Sequence, residues 1–328
     1  MRFHSFSHNY VIVGSAGYSN VGFYDLSLME GVRYFQNLRE GINSKLTRTI
    51  QRISFSEKAN KFIRSPFSYY TFSHLYPFSF KESKPLVFLF LGQNQTVYQS
   101  GYVEYLREKY PDVKVVLYMI DLISRNKKLR FAESRGLFDL ILSYDKGDCE
   151  KYGLEYYPTP YSNYPVPEDL CIDQFDVYYC GNAKMRGEII FDAYKELKKH
   201  NLRCKFFITD APLELRIDSD EIVYDQYIDY SKNLQYVKKA KCILEVMQNN
   251  ADGYTPRLWE SIMYDRHLLT NNNSLSESRF FVSSAIHSLN EIDRIQDWID
   301  NPLSIDKTLK DSLSPVHLLH FIDKKLDE

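Results

Sequence analysis

Residues 252–260 place two carboxylates eight positions apart, around a turn and the start of a predicted helix. Asp252 and Gly253 open a loop, and Pro256 suits a first helical turn, so Glu260 lies about one turn into the helix. Backbone N–H groups at a helix start can face a diphosphate, and a carboxylate slightly deeper can accept hydrogen bonds from ribose hydroxyls. The stretch therefore predicts a site for a sugar nucleotide.

A second candidate loop follows a predicted strand and leads into a predicted helix. It reads Gly181-Asn182-Ala183-Lys184-Met185-Arg186-Gly187. N–H groups at the helix start and the charges of Lys184 and Arg186 would act together on a diphosphate. The spacing is not the G-x-G-x-x-G fingerprint, so it does not predict an NAD site. The alternative is a helix start whose basic side chains are solvated.

Further polar side chains surround the stretch 252–260. Arg257 lies on the first turn of the predicted helix, where it either aims at the same phosphates or stays a surface arginine. Asp252 either caps the turn or touches the donor sugar, and Glu260 either binds ribose or only complements the helix dipole. The predicted binding residues are Gly181, Asn182, Lys184, Arg186, Gln248, Asp252, Gly253, Tyr254, Thr255, Arg257 and Glu260.

The first half of the chain offers candidates for a general base. Asp121 directly follows the strongest predicted strand, 113–120, and a carboxylate at the carboxyl end of a strand can take a proton from an acceptor hydroxyl. The rivals are Asp25, Tyr24, His8 and His74. A purely structural role is the alternative for each of them. No metal site is predicted.

Strands alternate with helices along both halves, which predicts an α/β fold with parallel sheets covered on both faces. The strands are predicted at 10–14, 86–91, 113–120, 137–142, 155–157, 175–180, 204–209, 221–224, 242–247 and 267–270. The helices are predicted at 25–35, 102–109, 187–200, 230–239, 256–263, 291–299 and 315–325. A proline-rich stretch at 158–174 interrupts the alternation. We therefore predict two Rossmann-like domains, 1–163 and 175–305, joined by a linker at 164–174 and facing a central cleft.

Composition excludes several classes of protein. Charge is nearly balanced, with 41 basic and 43 acidic residues, so the chain carries no nucleic-acid signature. The five cysteines have no C-x-x-C spacing, which predicts reduced thiols in a cytosolic protein. No apolar run approaches the roughly 18 residues that cross a bilayer, and the first residues lack the apolar stretch of a signal peptide. These features predict a cytoplasmic location.

Residues 31–64 are strongly basic, with eight Lys or Arg residues against two Glu. Apolar residues recur there at helical spacing from Leu38 to Ile53. A basic amphipathic helix can lie on an anionic membrane surface, and a helix packed on its own domain is the alternative. Peripheral contact with the inner face of the membrane is therefore a hypothesis.

The second half of the chain resembles the nucleotide-binding domain of GT-B glycosyltransferases. The span Asp252–Glu260 is similar to their signature of two acidic residues separated by seven positions, with Gly253-Tyr254 where a Gly-aromatic pair is common. The segment 138–153 resembles the CgeB-like and the bacterial capsular or lipopolysaccharide glycosyltransferases. The resemblance covers most of residues 85–275. Asp252 stands where retaining members usually carry Glu, so inversion and retention both stay open.

This resemblance implies transfer of a sugar from a UDP- or GDP-type donor to a hydroxyl of a glycan or lipid-linked glycan, in cell-surface polysaccharide biosynthesis. Glu260 would bind the donor ribose, and Lys184, Arg186 and Arg257 would bind the diphosphate. These cations would offset the charge on the leaving group, so the resemblance implies neither a metal nor a cofactor besides the donor substrate. It also implies that the C-terminal segment, 306–328, packs back on the first domain.

Two other functions stay open. A GT-B-like sugar-nucleotide epimerase would need catalytic carboxylates and no acceptor. A catalytically degenerate protein would bind a sugar nucleotide or glycan without turnover.

Overall fold

The computed structural model of the chain describes residues 5–14, 17–36, 45–54, 66–92, 98–123, 135–169, 171–247 and 253–328. The chain divides into two compact units. Unit 1 comprises residues 1–164 and 313–328, and unit 2 comprises residues 165–312. Each unit contains a sheet of six parallel strands, which confirms the predicted α/β class.

Helices connect the strands in both units. The described α-helices are α1 Tyr18–Gly22, α2 Lys45–Ser54, α3 Pro66–Ser73, α4 Val103–Lys109, α5 Lys146–Tyr152, α6 Gly187–Lys199, α7 Tyr230–Lys239, α8 Pro256–Tyr264, α9 Lys307–Ser312 and α10 Val316–Asp327. Short 3-10 helices lie at Tyr24–Leu28, Arg135–Leu137, Lys184–Arg186, Leu213–Leu215, Asn273–Glu277 and Leu289–Asp297, and a π-helical turn lies at Tyr98–Tyr102.

The sheet of unit 1 is buried on both faces. Its strands are β1 Asn9–Val13, β2 Val32–Phe35, β3 Leu86–Leu91, β4 Lys114–Met119, β5 Leu140–Ser143 and β6 Glu155–Tyr156, in the order β2-β1-β3-β4-β5-β6. Along β1, Val11 and Val13 join one apolar cluster, and Tyr10 and Ile12 join the other. Side chains alternate across a strand, so a sheet covered on both sides needs strands that are apolar at nearly every position.

The C-terminal helix α10 covers the sheet face that carries Tyr10 and Ile12. Leu318, Leu319 and Ile322 of this helix are fully buried in the same apolar cluster. The last residues of the chain therefore belong to the core of unit 1.

Asp323 binds α10 to the start of β1. Its carboxylate accepts a hydrogen bond from the Ser7 N–H at 2.8 Å and one from the Tyr10 hydroxyl at 2.5 Å, and it lies 2.8 Å from His8 Nδ1. Burial raises the pKa of Asp323, but its hydrogen-bond partners outweigh burial and hold this pKa below its usual value. The carboxylate thus stays ionised and joins residues 315 positions apart.

Unit 2 is built in the same way. Its strands are β7 Phe175–Asn182, β8 Cys204–Thr209, β9 Ile222–Tyr224, β10 Ala240–Glu245, β11 His267–Thr270 and β12 Ile286–Ser288. They pair in the order β12-β11-β10-β7-β8-β9, so β7 and β10 are central neighbours. Ile190 and Leu197 of α6 pack against Val177 and Leu244 of these two strands.

The prediction of one helix over residues 25–35 is wrong. The structure has a 3-10 helix at Tyr24–Leu28, a turn and then β2. Gly31 makes the turn with φ of +76°, and Val32 pairs with Tyr10 of β1. Val32 and Phe35 are buried at the two ends of this short strand, a spacing that also fits a helix, so the pattern did not separate the two structures. The predictions also lacked β12 and the helices α1, α3, α5 and α9.

The predicted linker overlaps unit 2. Residues 165–169 belong to this unit, where Val166 is buried and Lys232 Nζ lies 2.5 Å from the Asp169 carboxylate. The two predicted domains end at residues 163 and 305, whereas the first segment of unit 1 ends at residue 164 and unit 2 ends at residue 312.

Most of the basic segment 31–64 lies outside the described residues. Only 31–36 and 45–54 of it are described, as the turn and strand at β2 and as α2. Membrane contact through this segment stays a prediction. Within the described ranges, no helix combines the length and the apolar character that a membrane span requires.

We expect Asp323→Ala to lower the free energy of unfolding of unit 1 by about 3 kcal/mol, because the buried Tyr10 hydroxyl and His8 ring lose their acceptor. Both tryptophans, Trp259 and Trp298, lie in unit 2, so chemical denaturation should be followed by circular dichroism. Asp327→Ala is the control, since its bond to Ser7 Oγ at 3.2 Å is exposed. Equal stability of the two variants would contradict the role assigned to Asp323.

Candidate functional site

The two candidate loops follow neighbouring strands of unit 2. β7 ends at Asn182 and β10 ends at Glu245, and the two strands pair in parallel. Their carboxyl ends therefore lie at the same edge of the sheet, which is where ligands of parallel α/β sheets bind. The 3-10 helix Lys184–Arg186 follows β7, and α8 lies in the connection from β10 to β11.

The start of α8 is capped by a side chain. Thr255 is the N-cap residue, and its Oγ1 accepts a hydrogen bond from the Arg257 N–H at 3.1 Å. Pro256 occupies the first turn, where its missing N–H costs nothing. Arg257 and Glu260 are three positions apart on this helix, so their side chains lie on the same side of it.

Arg186 ties the end of β7 to the end of β10. Its Nη1 donates to the Val246 carbonyl at 2.6 Å, and its Nη2 donates to the Asn182 carbonyl at 2.5 Å. Both carbonyls lie beyond the last residue pair of the two strands, Tyr178 with Ile243. The guanidinium therefore occupies a fixed position between the strands.

Arg257 makes a similar contact from α8. Its Nη2 donates to the carbonyl of Cys180 near the end of β7. Burial lowers the pKa of Arg257, but the Glu260 carboxylate more than offsets this, and the pKa stands above its usual value. A second permanent cation is thus held at the same sheet edge.

Glu260 is a buried carboxylate, with 1% of the residue exposed. Its Oε1 accepts hydrogen bonds from the Tyr230 hydroxyl at 2.6 Å and from Asn233 Nδ2 at 3.1 Å. Burial raises the pKa of Glu260, while Arg257 and Tyr230 act in the opposite direction. Asn233 in turn accepts from the Tyr178 hydroxyl at 3.0 Å, so α7 and β7 both help to orient the carboxylate.

A second buried carboxylate, Glu245, was not among the predicted site residues. It is the last residue of β10, and it accepts hydrogen bonds from the hydroxyls of Thr255 and Thr270. Burial raises the pKa of Glu245, while these two hydroxyls and the nearby Arg257 and Arg186 act to lower it. An acidic residue inside the apolar run 242–247 was the signal that could have identified it.

Three buried polar atoms near the end of β7 have no hydrogen-bond partner in the described part of the chain. They are the Tyr179 hydroxyl, Asn182 Oδ1 and Arg186 Nε. Arg186 and Arg257 both act on the ionisation of the Tyr179 hydroxyl, which places it near the two guanidinium groups. Buried polar groups in proteins are nearly always satisfied, so an unpartnered group indicates a position where water or a ligand binds.

The other predicted binding residues differ in their exposure and in their contacts. Lys184 is exposed, with φ of +39°. Tyr254 packs edge-on against Trp259 with ring centroids 5.5 Å apart, and its hydroxyl accepts from Ser278 Oγ at 2.9 Å. The remaining three are Gly181, where a Cβ would lie 2.8 Å from the Tyr179 hydroxyl, exposed Gly253, and the cap Thr255. Gln248 and Asp252 lie outside the described residues.

The two catalytic candidates lie at different edges of the unit 1 sheet. Asp121 is exposed and follows β4 at its carboxyl end. Asp25 lies in the 3-10 helix after α1 and accepts from Ser314 Oγ at 2.8 Å. It lines a cavity of about 810 Å³ together with Asn9, Gly31 and other residues at or before the starts of β1, β2 and β3. Asp25 thus faces the amino ends of these strands, and Asp121 is the candidate at the carboxyl ends.

The other three candidates for the general base contact other residues of unit 1. His8 lies against Asp323, and Tyr24 packs on Tyr164 with ring centroids 5.1 Å apart. His74 Nδ1 lies 2.7 Å from the Tyr70 carbonyl on the surface. Across the described ranges, no three His, Cys, Asp or Glu side chains are grouped as metal ligands would be.

The architecture of the two units is that of the GT-B fold. An alpha-glucosyltransferase in complex with UDP-glucose and DNA containing an abasic site is 12% identical, with a TM-score of 0.52 over 95% of this chain and 94% of that chain. An alpha-glucosyltransferase in complex with UDP and a 13-mer DNA containing a central A:G mismatch is 14% identical, with a TM-score of 0.51 over 95% and 94%. The Methanocaldococcus jannaschii UDP-GlcNAc 2-epimerase in complex with UDP-GlcNAc and UDP is 10% identical, with a TM-score of 0.45 over 95% and 99%.

At these identities the likeness shows the fold alone. No family model and no curated protein sequence matches this chain. The chain therefore has the GT-B fold, and its activity has to be argued from its own side chains.

We expect Glu245→Ala to destabilise the start of α8 and to lower the free energy of unfolding of unit 2 by about 2 kcal/mol, because Thr255 and Thr270 lose their acceptor and two arginines lose a nearby negative charge. Trp259 on α8 reports this unfolding by fluorescence. Glu277→Ala, which removes an exposed carboxylate of the same unit, is the control. If both variants keep the stability of the original protein, Glu245 does not support α8.

Proposed function

We propose that this protein is a glycosyltransferase that takes a sugar from a nucleoside diphosphate donor. The observation that carries the proposal is the grouping of Arg186, Arg257 and buried Glu260 at one edge of the unit 2 sheet, beside the capped start of α8. Cations and helix N–H groups suit a diphosphate, and a carboxylate suits ribose hydroxyls. These three groups are the parts of a sugar-nucleotide site.

The diphosphate is proposed to bind at the loop after β7. Arg186 Nε is buried and has no partner in the described chain, so a phosphate oxygen would satisfy it. Exposed Lys184 adds a further cation at the same loop. When the bond between the sugar carbon and the diphosphate oxygen breaks, negative charge grows on the leaving diphosphate. Cations already fixed by the protein stabilise that charge without reorganisation, so we propose that transfer needs no resident metal.

The donor ribose is proposed to bind at Glu260. One carboxylate oxygen, Oε1, already accepts from Tyr230 and Asn233. A ribose hydroxyl would therefore bind the second oxygen or replace Tyr230 as a donor. Burial raises the pKa of this carboxylate overall, and the charge of Arg257 offsets part of that rise.

The acceptor is proposed to be a hydroxyl of a glycan or lipid-linked glycan, in cytoplasmic synthesis of cell-surface polysaccharide. The motifs shared with capsular and lipopolysaccharide glycosyltransferases support this choice. The similar alpha-glucosyltransferases are in complex with DNA. We propose a glycan and not a DNA acceptor, because 41 basic against 43 acidic residues leave the chain without an overall excess of positive charge. If the transfer inverts, Asp121 is the proposed base for the acceptor hydroxyl.

Glu260→Ala should weaken the binding of UDP and GDP by about 1.5–3 kcal/mol, or roughly 10- to 150-fold, because ribose hydroxyls lose a charged acceptor. Isothermal titration calorimetry measures this directly. The matched control is Glu291→Ala, which removes an exposed carboxylate from the first turn of another helical segment of unit 2. Unchanged nucleotide affinity in the Glu260 variant would remove Glu260 from the donor site.

Incubation with a panel of UDP-, GDP- and CMP-sugars separates the three functions that the sequence leaves open. We expect slow hydrolysis of the matching donor to free sugar and nucleoside diphosphate, because water replaces the missing acceptor. An epimerised or unsaturated sugar would instead indicate an epimerase, and binding without turnover would indicate a degenerate binding protein. Product analysis by mass spectrometry and NMR distinguishes these results.

Hydrolysis or transfer of the matching donor should continue in excess EDTA, because Arg186, Arg257 and Lys184 supply the positive charge. The assay compares the rate of nucleotide release before and after chelation. Loss of activity that added magnesium or manganese restores would overturn the metal-independent part of the proposal.

A further inference from the structure

Exposed apolar side chains stand on three adjacent loops of unit 2. Met185 after β7, Leu213 after β8 and Tyr227 after β9 are 92%, 78% and 84% exposed. The three strands are neighbours in the sheet, so these residues follow the same carboxyl edge that carries Arg186 and Glu260. Apolar groups gathered at one edge indicate a binding surface more strongly than the same groups scattered singly.

Tyr227, the aromatic member of this group, lies on a loop that is fixed at both ends. At the start, Asp225 has φ of +56°, and its carboxylate accepts from the Asp210 N–H at 3.1 Å and from Arg216 Nη2 at 2.6 Å. At the other end, Asp229 caps α7 through its carboxylate. The exposed ring is therefore presented by an anchored segment of five residues.

The same loop leads directly to the proposed ribose site. Tyr230, three residues after Tyr227, donates its hydroxyl hydrogen bond to Glu260 at 2.6 Å. Three residues span at most about 11 Å, and the base of a nucleotide is joined directly to its ribose. A base whose ribose faces Glu260 thus lies within reach of the Tyr227 ring.

We propose that Tyr227 is the platform on which the nucleobase of the donor stacks. This inference rests on the proposed function, and it adds a residue that recognises the base to the residues that bind ribose and diphosphate. Every nucleobase has a flat π face, so an aromatic platform contributes affinity without choosing one base by hydrogen bonding. The tyrosine hydroxyl has no part in this role, which requires only the ring.

The test measures UDP affinity by calorimetry in Tyr227→Ala, Tyr227→Phe and Gln226→Ala. We expect Tyr227→Ala to raise the dissociation constant about 5- to 150-fold, the range of one base–aromatic stack. Tyr227→Phe should stay within about threefold of the original protein, since the ring is retained. Gln226→Ala, which removes an exposed side chain from the same loop, should leave the constant unchanged.

A second variant reports the stack directly. In Tyr227→Trp, UDP should quench the added tryptophan fluorescence, measured above the signal of Trp259 and Trp298, and pyrophosphate should not, because it has no base.

The outcomes separate this inference from the proposal on which it rests. Original UDP affinity in Tyr227→Ala, together with weakened binding in Glu260→Ala, overturns the role of Tyr227 and leaves the donor site standing. Failure of the original protein to bind UDP or GDP overturns the proposed function and this inference with it. Equal losses in Tyr227→Ala and Gln226→Ala also overturn the specific role of Tyr227, since the loop and not the ring would then be responsible.

Discussion

Arg186 holds the carboxyl ends of β7 and β10 together, Arg257 holds α8 to β7, and the rest of the site depends on these two guanidinium groups. Arg186 donates to a carbonyl at the end of each strand, and Arg257 donates to the carbonyl of Cys180. These carbonyls lie beyond the last residue pair of β7 and β10, and an unsatisfied buried carbonyl costs about 1–3 kcal/mol. The arginines satisfy these carbonyls, and their charges in turn allow Glu245 and Glu260 to be buried at the same edge.

The sequence predicted the elements that carry this candidate site better than the contacts between its residues. Thr255, Pro256 and the apolar run after them predicted the helix start correctly, because capping is a local property of neighbouring residues. The hydrogen bonds of Arg186 to Val246 and of Glu260 to Tyr230 join residues 60 and 30 positions apart, and no local pattern specifies such pairs. Glu245 was missed for a related reason, since its threonine partners belong to α8 and β11.

Strand pairing decided the secondary structure where the hydrophobic spacing of the sequence fits both a helix and a strand. The segment 25–35 fits a helix by its spacing, yet the left-handed turn at Gly31 and the open edge of β1 make its second part a strand. The two catalytic candidates of unit 1 also differ in their position relative to the strands. Both Asp25 and Asp121 follow strands in sequence, but 3-10 and α-helical residues separate Asp25 from β1, and it lines a cavity with residues that precede strands. Distance along the chain after a strand therefore determines at which edge of the sheet a side chain lies.

Cations that already donate hydrogen bonds to backbone carbonyls act on a ligand mainly through their charge. Arg186 has used two nitrogens on carbonyls and keeps Nε without a partner in the described chain, so it offers a diphosphate few new hydrogen bonds and mainly a fixed positive field. The interaction of a leaving diphosphate with this fixed field strengthens as negative charge develops on it, and no reorganisation is needed because the carbonyls hold the guanidinium in place. Affinity for the rest of the donor must then come from groups that are not engaged by the backbone. The exposed ring of Tyr227 and the remaining acceptor capacity of Glu260 are groups of this kind, so the proposed transferase would separate the stabilisation of the leaving group from the recognition of the nucleoside.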